Sequence, residues 1–440
     1  MVRMIIQKLL KWKASPDRKP LLVEGIRQVG KTRLLTDFGS SNYKNTVYIN
    51  LREELHLGRL FDGSLEPERI LDSLRMAKAQ KILPAETLII LDGAESSPRA
   101  ITSLKYFYES ASQYHIACAC TLPVSGYHRH YAFPVGKVDM LTVMPLGFDE
   151  FLRADGDGAL VEALQGIDTL ESLPKVTFEH LFEKMKIYML TGGMPGAVEM
   201  WTEARDAAAL ENALDDILRQ IGEDLDKHPH SGQQHKLRGI WASLPRQLDT
   251  EKKKFSYRSV KEGARAREYG YALQWLILAH LVTPVYRSQA PTMPLTAGDD
   301  YAAFKLFPTD TGLLRRMLNV PSSLYAEGDR LLTAFHGALT ECFVLQNLAH
   351  LSVRPRYWTL NNPPYSLPLI LQHEGEIIPA DISTQSNPSV RNLRKIKEMF
   401  PNDVRLTVLF SLKNLSFQDG VLNIPLFLAP WTAQLLRLVH

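Results

Sequence analysis

An α/β fold with a mostly parallel sheet is what the first third of this 440-residue chain predicts. Two observations lead there. Between residues 20 and 145, short apolar runs alternate with stretches whose apolar residues recur three and four positions apart. One of those runs, "TLIILD", ends in Asp92 and follows a glycine-rich strand-to-helix turn by about 60 residues. Such alternation lays successive strands side by side in parallel, with helices as the crossovers.

The elements follow in order. "MVRMIIQKLLKWK" interleaves Arg and Lys with apolar residues too closely for a signal-peptide core, and reads as a short helix packed on the first domain, the alternative being a basic amphipathic surface helix. "PLLVEG", "TVYINL", "TLIILD", "YHIACAC" and "VDMLTVMPL" read as strands. "KTRLLTDFG", "PERILDSLRMAKAQ" and "PRAITSLKYFYESASQ" read as helices between them. Residues 1–150 are therefore expected to form the α/β core. Residues 151–232 read as helical, broken by a Gly-Pro turn in "LTGGMPG". Residues 233–325 are a basic mixed segment: a short strand, two helices and a strand entering a wing-like loop. A linker near "VPSSLYAEGD" leads to a second, smaller α/β domain over residues 330–440.

Composition sets outer limits. With 45% hydrophobic and 22% charged residues the chain has ample material for several cores, as in soluble globular proteins. A net charge of +3 gives no overall electrostatic case for nucleic acid or an acidic membrane surface. No apolar run reaches the ~18 residues of a membrane span, so a soluble, cytoplasmic protein without a membrane partner is expected. The three cysteines, Cys118, Cys120 and Cys342, are too few for a disulfide framework. Cys118 and Cys120 share one face of a strand and are expected to be small buried hydrophobes.

The chemistry concentrates in "LLVEGIRQVGKTRLL". Gly25-Ile-Arg-Gln-Val-Gly30-Lys31-Thr32 is a complete G-x-x-x-x-G-K-T between a strand and a helix. Gly25 and Gly30 permit the dihedrals that turn successive N–H groups inward, making an anion nest at a helix N-terminus. Arg27, Gln28, Val29 and Arg33 complete the loop and its exit. Lys31 can reach the β- and γ-phosphates of ATP, and the Thr32 hydroxyl can ligate Mg²⁺. Asp92, at the end of a neighbouring parallel strand, is placed to hold the same ion; the alternative is a cap for the helix beginning near Pro98.

Hydrolysis needs a group that orients the attacking water. In many ATPases of this layout it is a glutamate directly after the aspartate; here that position is Gly93. Glu95, two residues on, is a candidate, and equally reads as a first-turn acid favouring the next helix dipole. Thr121, a hydroxyl at a strand end, is a candidate γ-phosphate sensor. Arg129 is a candidate charge in trans, or a surface arginine.

With "GIRQVGKT", "LIILDGAESSPRAITSLKYFYE", "FPVGKVDMLTVMPLGFDEFL" and "GGMP" in order, the chain resembles the prokaryotic AAA-superfamily ATPases that carry a C-terminal domain of unknown function. The similarity continues through "ARAREYGYALQWL", "FKLFPTDTGLL", "FHGALTECFVLQNL" and "IPLFLAP", covering nearly the whole chain. The resemblance implies a P-loop ATPase core, a helical lid over 151–232, a winged-helix region over 233–325 and a restriction-endonuclease-like tail over 330–440. Gly25, Arg27, Gln28, Gly30, Lys31, Thr32 and Asp92 match the family pattern residue by residue. The family's Asp-Glu-Ile-Gln becomes Asp92-Gly93-Ala94-Glu95, and its Ala-Gly-Ser sensor becomes Ala119-Cys120-Thr121.

In the tail, nucleases of that fold use a helical glutamate, an aspartate and a strand Glu-x-Lys around Mg²⁺. Only Glu341 and Asp381 remain as candidates, with Ser383 where the lysine would stand, so an inactive remnant is expected. Lys252, Lys253, Lys254, Arg258, Arg265 and Arg267, with Phe255 and Tyr257 interleaved, read as a DNA-docking face or a solvated one balanced by Glu251, Glu262 and Glu268. The sequence thus predicts a Mg·ATP-binding protein with slow or absent hydrolysis. The alternative is a nucleotide-dependent switch acting on DNA or a protein partner through the C-terminal half, without turnover.

Overall fold

A computed structural model describes residues 3–121, 133–228, 231–327, 330–351, 353–361 and 364–439. By backbone contacts the chain divides into two units, one of residues 3–144 with 274–281, the other of residues 145–273 with 282–440.

The first unit is built on five strands: β1 (Leu21–Glu24), β2 (Asn45–Asn50), β3 (Thr87–Asp92), β4 (His115–Cys120) and β5 (Asp139–Thr142). They pair in the order β2-β3-β4-β1-β5, every pair parallel. Helix α1 (Ile6–Ala14) precedes the sheet, and the crossovers include α2 (Lys31–Asn42), α3 (Leu55–Gly58), α4 (Pro67–Lys78) and α5 (Pro98–Ser110). The central strands are buried along nearly their whole length, which is why they read as unbroken apolar runs rather than alternating ones. Val47, Ile49, Ile89, Leu91, Ile116, Cys118 and Cys120 project from one face onto Ile70, Leu71 and Leu74 of α4 and Leu104 and Phe107 of α5. Cys118, Cys120 and Cys342 are free thiols in buried positions.

Register aligns the carboxyl ends of the strands. Asn50 stands beside Asp92, Asp92 beside Ala119, and Glu24 between Cys120 and Thr142. In parallel α/β sheets ligands bind beyond these ends, where the loops leave the strands.

The second unit begins with helices at Phe148–Ala154, Gly158–Gln165, Lys175–Thr191, Pro195–Ala204, Ala207–Asp226 and Ser231–Leu248. Its eight-stranded sheet adds β6 (Val282–Ser288), β7 (Asp299–Pro308), β8 (Arg356–Asn361), β9 (Pro364–His373), β10 (Glu376–Ile382), β11 (Thr407–Ser411), β12 (Ser416–Gln418) and β13 (Val421–Pro425). The order is β12-β13-β11-β10-β9-β8-β6-β7. One sheet therefore takes strands from both sides of the linker expected near "VPSSLYAEGD", residues 320–329. Helix Arg391–Met399 lays Leu393 and Ile396 on Ile370, Ile377 and Leu409 of this sheet.

"LTGGMP" and "PTDTG" meet inside the second unit. Asp310 is fully buried and accepts N–H bonds from Gly193 at 2.7 Å and Leu313 at 2.9 Å, and one from Gln346 Nε2 at 3.1 Å. A Cβ on Gly192 would lie 2.2 Å from Asp310 Oδ1, and one on Gly193 2.0 Å from the Leu146 carbonyl oxygen. Those glycines are required by close approach of backbone, not only by the turn.

Candidate functional site: a phosphate loop and the strand ends beside it

The loop between β1 and α2 has the geometry its glycines foreshadow. Gly25 (φ 154°), Gln28 (φ 62°) and Gly30 (φ 92°) all take positive φ, folding residues 25–30 into a tight turn before the first turn of α2. A Cβ at Gly25 would come within 2.3 Å of the Val143 carbonyl oxygen, so no side chain fits there. Val29 is buried, and its carbonyl accepts an N–H from the Arg3 guanidinium at 3.1 Å while Arg3 also donates to the Met144 carbonyl at 2.6 Å. The N-terminal segment thereby braces the loop from behind.

Lys31 is 6% exposed, and its ammonium donates to the carbonyls of Gly25 (2.8 Å) and Ile26 (2.9 Å). Burial pulls its pKa down to about 8, against the opposing pull of the Glu95 and Asp92 carboxylates. Thr32, exposed at the start of α2, donates its hydroxyl to Asp92 Oδ2 at 2.6 Å. The two hard-oxygen groups that the sequence assigns to Mg²⁺, 60 residues apart, are therefore in contact. Asp92 Oδ1 also accepts the Gly93 N–H at 2.8 Å. That donor set fits a magnesium ion.

Of the other loop residues, Arg27 is half-buried, Gln28 is exposed, and exposed Arg33 lies 3.8 Å from Asp37 on its own helix.

Beyond Asp92, Gly93 adopts φ +65° and a short 3-10 turn over Ala94–Ser96 follows. That turn carries Glu95 back across the strand ends. Its side chain keeps 7% of its surface exposed. Arg52, just past β2, donates to Glu95 Oε1, and the Thr121 N–H, just past β4, reaches Oε2 at 3.4 Å. Thr121 thus lies at the end of β4 beside Glu95. Arg129 lies outside the described residues.

Sequence reasoning missed three groups here. Tyr48 on β2 donates its hydroxyl to Asp92 Oδ2 at 3.0 Å, and burial with the neighbouring carboxylate raises its pKa. Arg52 is the second. The third is Glu24 at the end of β1, whose Oε2 stands 3.7 Å from His280 Nε2. Their only sequence signal was a position at, or within two residues of, a strand end.

In the second unit, Glu341 is buried against Lys305 (2.5 Å) and Lys253 (3.4 Å), and Asp381 sits on β10 with its pKa pushed up to about 6, chiefly by burial. Lys253 therefore leaves the expected basic face, and Phe255 is buried too. Both are drawn inward because the segment bridges β7, Lys254 pairing with Lys305. Lys252, Lys254, Arg258, Arg265 and Arg267 remain exposed, with Glu251, Glu262 and Glu268 among them.

A family model described as an AAA domain matches residues 17–152. The chain contains an AAA-family P-loop ATPase domain. The site above is the phosphate-loop end of that AAA domain, with Gly25–Thr32 and Asp92 both inside the matched span. A second model, a domain of unknown function (DUF8612), matches residues 182–324. No curated protein matches the chain. Among solved structures, the chain is similar to the Walker-type ATPase PABY2304 of Pyrococcus abyssi, 13% identical, covering 72% of this chain and 96% of that one at a TM-score of 0.45. It is also similar to the Aeropyrum pernix ORC1 protein, solved in complex with DNA: 13% identity, 76% and 93% coverage, TM-score 0.28. A point variant of Thermotoga maritima RuvB is 13% identical over 66% of this chain and 89% of its own, with a TM-score of 0.32.

Proposed function

We propose that this protein binds Mg·ATP at Gly25–Thr32 and Asp92 and hydrolyses it slowly, with Glu95 as the water-orienting carboxylate. The observation that carries the reading is the 2.6 Å contact between the Thr32 hydroxyl and Asp92, which unites the two metal-holding groups at the mouth of the phosphate loop. Thr32 and Asp92 would hold Mg²⁺, which would supply charge neutralisation at the phosphate oxygens. The chain's own groups do the rest. Backbone N–H groups of the loop and the Lys31 ammonium, leaving the Gly25 and Ile26 carbonyls, donate to phosphate. Thr121 is the γ-phosphate sensor at the adjacent strand end. Glu95 accepts hydrogen bonds now supplied by Arg52 and the Thr121 N–H, and a water can take the place of either donor.

Turnover is slow because Glu95 is not free to act while Arg52 holds it. That ion pair also favours a second reading, a nucleotide-dependent switch without turnover that acts on DNA or a protein partner through the C-terminal half. Three helices at Ser231–Leu248, Tyr257–Val260 and Ala266–Leu278, followed by the antiparallel pair β6–β7, support a winged-helix reading of that region, and the exposed Lys252, Lys254, Arg265 and Arg267 support DNA phosphates as its contact.

The deciding experiment pairs ATP binding with phosphate release for wild type, Lys31→Ala and Glu95→Gln. Tight Mg·ATP binding lost in Lys31→Ala, with release abolished by Glu95→Gln at unchanged affinity, is the expected result. Release at background in all three favours the switch. Wild type that binds no ATP refutes both readings.

A further inference from the structure

Asp92 is held from three sides, and Tyr48 is the holder that comes from neither the phosphate loop nor the end of β3. Oδ2 accepts the Thr32 hydroxyl at 2.6 Å and the Tyr48 hydroxyl at 3.0 Å, and Oδ1 accepts the Gly93 N–H at 2.8 Å. Strand alternation explains how Tyr48 gets there. Val47, Ile49, Ile89 and Leu91 pack into the core on one face of the sheet, so Tyr48, Asn50 and Asp92 belong to the other. Helix α2 lies on that second face: a Cβ on its Gly39 would come 2.5 Å from Thr46 Oγ1 and 3.3 Å from Leu88 Cδ2. Thr32 therefore approaches the carboxylate from the helix and Tyr48 from the neighbouring strand.

The reach needs a long side chain. Register puts Asn50 beside Asp92, and Tyr48 beside Ile90. Two residues of strand rise, about 7 Å, separate the tyrosine backbone from the level of the carboxylate. Asn50 turns its amide oxygen elsewhere, to the Arg52 N–H at 3.1 Å. The phenol is the donor in its bond to Asp92, and its half-buried ring fixes the direction from which it donates.

Hydrogen bonds to a metal-holding carboxylate, from groups that do not themselves touch the metal, set its orientation, and losing one costs about ten- to a hundredfold in metal affinity. The cost falls hardest on Mg²⁺, which demands near-octahedral geometry at short distances, whereas Ca²⁺ accepts longer and more irregular coordination. Given Thr32 and Asp92 as the holders of Mg²⁺, we propose that Tyr48 is a positioning residue that fixes the Asp92 carboxylate for that ion and so gives the nucleotide complex its preference for Mg²⁺ over Ca²⁺. It acts by orientation and not by charge, since removing the hydroxyl leaves the carboxylate in place.

The test is calorimetric titration of ADP, which binds without turnover, into full-length wild type and Tyr48→Phe, first in EDTA and then at stepped free concentrations of Mg²⁺ or Ca²⁺. Phenylalanine keeps the ring and loses one oxygen; Tyr48→Met, which also lacks a donor, serves if Tyr48→Phe fails to fold. The Mg²⁺ affinity of the ADP complex should fall about tenfold and its Ca²⁺ affinity less than about threefold, with ADP affinity in EDTA unchanged. Equal Mg²⁺ affinities in wild type and variant, or equal losses for the two ions, overturn the role of Tyr48. A parallel fall of ADP affinity in EDTA overturns it too, because a generally loosened site behaves that way. Wild type whose ADP binding ignores Mg²⁺ refutes the assignment of the ion to Thr32 and Asp92, and the role of Tyr48 with it, before any variant is compared.

Discussion

Lys31→Met tests the burial of the phosphate-loop ammonium directly. Lys31 has its pKa lowered from 10.5 to about 8, so in unliganded protein the folded state disfavours the charged form. The unfolded chain then binds more protons than the folded one between those two values, and stability rises with pH across that interval. The penalty is fully present below pH 8 and fades toward 10.5. Its full size is about 3 kcal/mol, and about 2 kcal/mol of it disappears between pH 7 and pH 9.5. Methionine keeps the volume and removes the charge, but strips the Gly25 and Ile26 carbonyls of a donor, about 1 kcal/mol for each bond. The variant should therefore match or exceed wild type at pH 7 without nucleotide, and fall behind it by pH 9.5. Thermal melts of both proteins at half-unit pH steps read the difference, in which all other titrating groups cancel. A 2 kcal/mol change corresponds to roughly 4–8 °C for a unit of about 150 residues. Parallel pH profiles for the two proteins would refute the argument, since they would mean that Lys31 keeps an ordinary pKa and is not desolvated.

Three further outcomes follow from close contacts. Gly93→Glu should not raise phosphate release, because the residue sits at φ +65° and its Cβ would lie 2.6 Å from Arg52 Cγ; about 1 kcal/mol of stability should be lost, and a gain in turnover would contradict the geometry. Gly193→Ala pushes a methyl group to 2.0 Å from the Leu146 carbonyl oxygen and 2.8 Å from its nitrogen, both rigid backbone, and should cost about 2 kcal/mol or more, seen as a lower melting temperature and reduced soluble yield. Asp310→Ala strands the buried N–H groups of Gly193 and Leu313 and should cost about 3 kcal/mol, measured by denaturant unfolding; a loss under 1 kcal/mol would mean that water replaces the carboxylate.

What the sequence disclosed was set by how local each feature is. The phosphate loop is eight consecutive residues, and the identities of Gly25, Gly30, Lys31 and Thr32 are dictated by their own dihedrals or reach, so it could be read without the fold. Asp92 needed only one further inference, that β3 runs parallel to β1, which the strand–helix alternation supplied. Tyr48 and Arg52 were invisible because their roles depend on β2 lying next to β3, a strand order no periodicity encodes. The lysines at 253 and 305 were harder still. Lys253 reads as part of a charged run, and only the bridge of Lys254 to Lys305 on β7 shows that its neighbour turns inward onto Glu341. "GGMP" and "PTDTG" were legible as a turn and a motif, but their mutual contact spans over a hundred residues of chain, from Gly193 to Asp310.

We propose that the glutamate missing after Asp92 is displaced to Glu95 rather than deleted. A residue at position 93 with φ +65° cannot continue β3, so the chain folds over at once into the 3-10 turn. That turn returns Glu95 to the ends of β2 and β4, where Arg52 and Thr121 receive it. Among the charges acting on Lys31, the pull of Glu95 comes ahead of that of Asp92, so the carboxylate is electrostatically part of the phosphate site. A first-turn acid serving only the dipole of α5 would have no reason to be 7% exposed and paired with an arginine from the adjacent strand's end. Arg52→Ala separates these roles. If Arg52 restrains a working base, phosphate release should rise in Arg52→Ala and fall to background in Arg52→Ala/Glu95→Gln. Release at background in both the single and the double variant would leave Glu95 a structural anchor, and the protein a nucleotide switch.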